Sequence, residues 1–208
     1  MAIIASDNGG GGDYSPVPQG THVAICNMVV DLGKQRKEWQ GQERIRPEIF
    51  IRWELPNERL EWTDKDGNAK EGPRVIGQTY TLALNDRANL RRDLEAWRGR
   101  AFTTDELAGF DVSKLLGVPC MVTVTHSEKQ GRTYANVSGV AGLPKGMPKP
   151  DKTECDPLLY DDEHLGAWDH LPEWLQKKID AQVKDEPQRP LGRSLGDQLD
   201  DLDDDVPF

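Results

Sequence analysis

Long apolar runs are missing from this chain, and so are most residue patterns on which catalytic or disulfide chemistry rests. No stretch approaches the ~20 consecutive apolar residues of a membrane-spanning helix. No basic stretch near the N-terminus leads into an apolar run, so no signal peptide is expected. Cysteine is scarce. Cys26, Cys120 and Cys155 are odd in number and widely spaced, which argues against a disulfide framework and for a reducing, cytoplasmic setting. The four histidines, His22, His126, His164 and His170, are scattered, with no HExxH or CxxC spacing for zinc. No GxxxxGK(S/T) phosphate loop occurs. Asp64-Lys65-Asp66-Gly67-Asn68 carries only part of a calcium-loop ligand series and reads better as a turn. The expectation is a protein without catalytic activity, metal or cofactor.

The chain does hold charge, unevenly distributed. The net charge is −10, the wrong sign for a nucleic-acid binder taken as a whole. Residues 13–147, however, carry 19 Lys/Arg against 18 Asp/Glu, a net of +1. Residues 148–166 carry 2 against 6, and residues 185–208 carry 2 against 8. The expected globular body is near neutral, and most of the negative charge lies beyond it.

The body reads as strands around one helix. Residues 20–32 are rich in Val and Ile and predict a strand ending at Gly33, followed by a partly basic loop over 33–43. Residues 44–55 predict a second strand, where Ile49, Ile51, Trp53 and Leu55 alternate with Glu48, Phe50, Arg52 and Glu54. Residues 56–72 are polar, with a turn signal at Asp66-Gly67, and a third strand is expected over 75–84. Leu90, Leu94 and Trp97 then recur at helical spacing, with Asn85 or Asp86 as cap and Gly99 as stop. Short helical turns are expected over 103–116, a fourth strand over 118–126, a tight turn at Gln130-Gly131 and a fifth strand over 132–140. The order β-β-β-α-β-β is that of an OB-fold, a mainly β architecture whose five-stranded, partly open barrel has a helix between strands three and four.

Four segments are expected: a flexible leader over 1–12, an OB-fold domain over 13–147, a linker with an amphipathic helix over 148–184, and an acidic tail over 185–208. The linker carries Pro148, Pro150 and Pro157; the helix, over 169–183, has Pro172 in its first turn and an apolar stripe of Leu171, Leu175, Ile179 and Val183. The tail has few apolar anchors and is expected to be disordered in isolation.

Five carboxylates fall within residues 200–205, followed by Val206-Pro207-Phe208. Such an end is a portable ligand: a ring for a pocket, a carboxylate for an Arg or Lys clamp, and aspartates that steer it to a basic surface. It closely resembles the C-terminal tip of bacterial single-stranded DNA-binding proteins. The body, over about 20–147, is similar instead to single-stranded DNA-binding proteins of tailed bacteriophages. That likeness rests on Ile51-Arg52-Trp53-Glu54-Leu55, on Leu90-Arg91-Arg92-Asp93-Leu94-Glu95-Ala96-Trp97-Arg98-Gly99-Arg100, and on Leu116-Gly117-Val118-Pro119-Cys120-Met121-Val122-Thr123-Val124. The resemblance implies an OB-fold, sequence-tolerant binding and no catalysis. It makes Asp203, Asp204, Asp205, Val206, Pro207 and Phe208 a hook for a polymerase, helicase or primase.

Non-specific strand binding needs cations for phosphates and exposed rings for bases. The 33–46 region offers Lys34, Arg36, Lys37, Trp39, Arg44 and Arg46. On strand two, Phe50 and Arg52 point outward if Ile49, Ile51 and Trp53 point inward; in the opposite register Trp53 is the stacker. Glu48 and Glu54 share the Phe50 face, which suggests that it is wet. Tyr80 and Tyr134 are further candidate stackers. Arg87, Arg91 and Arg98 share one side of the helix and are candidate phosphate contacts. Trp97 is expected in the core. The rival reading is a protein–protein adaptor whose barrel binds no DNA.

Overall fold

Alternating apolar and polar positions build the body of the protein as a set of long, bent strands. The computed structural model describes residues 15–39, 41–63, 66–150 and 152–184. The leader 1–12, Asp64-Lys65 and the tail 185–208 lie outside the described residues.

β1 (Gly20–Trp39) pairs antiparallel with β2 (Gln42–Thr63) on one side and with β4 (Pro119–Lys129) on the other. β3 (Ala69–Thr81) joins the far edge of β2, and β5 (Arg132–Ala141) the far edge of β4. The path β3-β2-β1-β4-β5 curls until β3 and β5 approach, a nearly closed five-stranded antiparallel barrel. With α1 (Asn89–Arg98) between β3 and β4, this is the expected OB-like architecture.

Of the two registers open to β2, the structure has the one with Ile49, Ile51 and Trp53 inward. Ile49, Ile51, Trp53 and Leu55 fill the barrel with Ala24, Cys26, Val29, Val122, Val124, Leu90, Leu94 and Trp97. β1 looks continuously apolar because it serves two cores. Its register jumps between Cys26 and Met28, so Asn27 is the extra residue of a bulge. Cys26 and Val29 therefore both belong to the barrel core, while Met28, Val30 and Leu32 belong to a second core outside it.

The predicted end of strand one at Gly33, and the loop over 33–43, are corrected. Gly33 is a second bulge. Its φ of +66° is a left-handed conformation open to glycine, and two residues of β1 there face one of β2. A Cβ at Gly33 would also lie 2.0 Å from Gln182 Oε1. Past it β1 continues to Trp39 and returns as β2, forming a β-hairpin arm in place of the loop. Residues 56–72 likewise include the end of β2 and the start of β3.

Gly99 ends α1 with φ +70°, as expected, but neither Asn85 nor Asp86 caps it; Ala88 is the N-cap, and Asn85 Oδ1 accepts the Arg87 N–H one turn earlier. α2 (Thr104–Ala108) carries a reciprocal capping box between Thr103 and Glu106. Gln130 and Gly131 both have positive φ, the geometry of a tight hairpin turn.

The segment expected as linker and helix forms a second layer. β6 (Leu158–Tyr160) pairs parallel with β1, a 3-10 turn spans Leu165–His170, and α3 (Glu173–Asp180) follows with Pro172 as its N-cap. Leu158, Leu171, Leu175 and Ile179 pack against Met28, Val30, Leu32 and Phe50 on the outer face of the barrel. Only glycine fits beneath Phe50, since a Cβ at Gly77 would lie 2.2 Å from the ring. The buried Glu54 carboxylate ties the layer down by accepting the backbone N–H groups of Glu154 and Cys155, each at 2.8 Å. These bonds matter because a buried carboxylate without donors is strongly destabilising. No helix among the described residues is long and apolar enough to cross a membrane.

Candidate nucleic-acid interface

Residues 34–46 hold five cations, Lys34, Arg36, Lys37, Arg44 and Arg46, against the two carboxylates Glu38 and Glu43. The strand ladder sorts them by face. Lys37 pairs directly with Arg44, and Gln35 with Arg46, so these four share one face of the arm. Together with Glu38, Glu48 and Thr81 they line a concavity at the arm's base. Arg44 and Arg46 are exposed and have no ion-pair partner among the described residues. Lys37 pairs with Glu48. Arg36 lies on the other face and pairs with Glu43. Lys34 is exposed at the base of the arm. Trp39 is placed by its backbone opposite Gln42; its side chain lies outside the described residues.

The floor of the concavity is unusual. Glu48 is only 2% exposed, although it carries a carboxylate. Besides Lys37 it faces the Lys178 ammonium of α3 at 3.1 Å. Burial pulls the Lys178 pKa below the ordinary lysine value, Glu48 opposes that shift, and the Lys37 charge adds to it.

Three predicted stackers are corrected. Phe50, Trp53 and Tyr80 are 3%, 1% and 4% exposed, so none presents a ring face to a base. Trp53 lies in the barrel against Trp97, 6.1 Å between centroids. Phe50 meets Trp174 edge-on at 5.0 Å beneath α3. The Tyr80 hydroxyl donates to Asp93 Oδ2 at 2.9 Å, and burial pushes its pKa far up. The face expected to be wet is dry because the C-terminal layer covers it. Glu48 and Glu54, which suggested water there, are buried and partnered. Arg52 is half-buried on the same face, donating from Nε to Asn27 Oδ1 at 3.0 Å, and burial lowers its pKa. It is tied into the layer's polar network rather than presented on the surface.

Tyr134 remains half-exposed on β5, opposite Ser127 near the β4–β5 turn. Arg87 is exposed. Arg91 is committed to Asp86 and Glu95, and Arg98 to Glu106, its guanidinium 4.4 Å from the Phe102 ring centre. Trp97 is buried, as expected. Residues 203–208 lie outside the described residues.

The sequence reading missed Trp62, 43% exposed on β2 and stacked over Gly72. Its signal was there: Leu60 and Trp62 alternate with charged residues just before Asp66-Gly67. Its surroundings over 58–71 carry five carboxylates against three cations, which suits a phosphate backbone poorly. Ile45, 47% exposed between Arg44 and Arg46, was missed too. Among the described residues no three His, Cys, Asp or Glu side chains come together to hold a metal ion. No protein-family model matches the chain, and no curated protein matches it.

Proposed function

We propose that this protein binds single-stranded DNA with little base preference through its β1–β2 arm, as a bacteriophage-type single-stranded DNA-binding protein acting in replication, recombination or repair. The observation that carries the reading is the Lys37, Arg44 and Arg46 face, displayed by a hairpin of an OB-like barrel. Phosphates see the charge of such a face and not the base sequence. Trp39 and Tyr134 are the proposed stacking rings. The likeness of the body and tip to single-stranded DNA-binding proteins supports the same reading. Its work is binding without turnover, in the cytoplasm of a bacterial host. The tip 203–208 recruits a polymerase, helicase or primase, with the Phe208 ring as its anchor.

The test is a titration of labelled oligo-dT with the full chain at two salt concentrations. Binding that weakens as salt rises supports the proposal, because displaced counterions drive it. No binding at low ionic strength contradicts it and leaves the adaptor reading.

A further inference from the structure

Glu48 is a buried carboxylate with two ammonium groups, and the two are not equivalent. The Lys178 side chain is 22% exposed and belongs to α3. Its backbone carbonyl accepts Gln35 Nε2 at 3.0 Å, so helix and arm are fastened together at this point. The Lys37 side chain is 61% exposed and reaches down from the arm to Glu48 Oε1. A buried carboxylate must keep a cation, since stripping it of every partner is strongly destabilising. It needs only one for neutrality. Lys178 is the fixed partner, and Lys37 is the one that solvent reaches.

Lys37 stands directly opposite Arg44 in the ladder. An oxyanion held at Arg44 therefore arrives beside Lys37, whose four-carbon stem lets the ammonium swing from floor to rim. Resting on the proposed DNA-binding role of the arm, we propose that Glu48 stands in for a strand phosphate in the DNA-free protein. It holds Lys37 on the floor of the concavity until a phosphate takes Lys37 over, while Lys178 continues to neutralise Glu48. Glu48 is thus a positioning residue that sets how much Lys37 adds to binding.

The experiment is oligo-dT anisotropy at low salt with the full chain, its Glu48→Gln, Lys178→Met and Lys37→Met variants, and the double variant Glu48→Gln/Lys37→Met. Removing the carboxylate frees Lys37, so Glu48→Gln binds about fivefold tighter, the fold-change of one modest ion pair. Lys178→Met leaves Lys37 as the only cation for Glu48 and weakens binding by a similar factor. Lys37→Met loses more affinity in the Glu48→Gln background than in the wild type, because only in the wild type does recruiting Lys37 first break an ion pair. A Glu48→Gln protein with a native melting profile and wild-type affinity overturns the inference. So does a Lys37→Met loss that is equal in both backgrounds. Should Glu48→Gln fail to fold, Lys178→Met decides alone, and wild-type affinity there overturns it. A wild-type chain that binds while the variants bind identically defeats this inference only; a chain that never binds oligo-dT defeats the proposed function as well.

Discussion

Val183 donates its backbone N–H to the Lys34 carbonyl at 2.7 Å. Lys34 begins the arm just past the Gly33 bulge, and Val183 lies two residues before the stretch 185–208, with its eight carboxylates against two arginines. The most acidic part of the chain therefore starts at the foot of its basic arm.

On the proposed function, residues 185–208 are expected to compete with DNA for the arm, at an effective concentration of about millimolar order. Deleting them is expected to tighten oligonucleotide binding, most at low salt where screening is weakest. Affinity for duplex DNA rises too, because phosphate attraction does not depend on strand number. Binding curves of full-length and truncated protein check this; equal affinities at low salt rule out competition.

Phe50 and Gly77 form a second testable pair. Phe50→Ala empties the outer core beneath Trp174 and is expected to cost about 3–5 kcal/mol. Gly77→Ala drives a methyl into the Phe50 ring and is expected to cost about 1–3 kcal/mol. The double variant gives the Gly77 methyl room, so its loss falls short of the sum of the two. Urea unfolding of the three variants measures the coupling, and simple additivity contradicts the packing described.

The barrel was legible in the sequence because its signals are local. The alternation of Ile49, Ile51, Trp53 and Leu55, the helical spacing of Leu90, Leu94 and Trp97, and the Gln130-Gly131 turn each lie within a few residues. Gly33 was misread because a left-handed glycine marks a bulge as readily as a strand end, and the ladder partner that distinguishes them is elsewhere in the chain. Phe50, Glu48 and Glu54 were misread for a longer-range reason. Whether that face is wet depends on residues 154–179, and no pattern within β2 announces the layer that covers it. The basic arm was legible as composition, but not its sorting into an Arg44/Arg46 face and an Arg36/Glu43 face, which needs the hairpin register.

Glu106 offers a pH test. Hydrogen bonds from Arg100, the Thr103 backbone and Arg98 hold its carboxyl down at about 2, from an ordinary 4.5. A depressed folded-state pKa means that its contribution to stability is complete above the ordinary value and is lost as pH falls from about 4.5 toward about 2. Glu106→Gln is therefore expected to melt lower than wild type at neutral pH, with the gap closing across that window. A gap that stays constant down to pH 2 contradicts the pairing.

The most direct measurement is the salt dependence of oligo-dT affinity for wild type and for Arg44→Ala/Arg46→Ala. Both arginines are exposed and lie outside both cores, so the double variant is expected to melt as wild type does. If each contacts one phosphate, the variant binds more weakly and its slope of log affinity against log salt is shallower by about 1.4, at ~0.7 per single-strand phosphate. Wild-type affinity and slope in the double variant would mean that the arm is not where the strand lies.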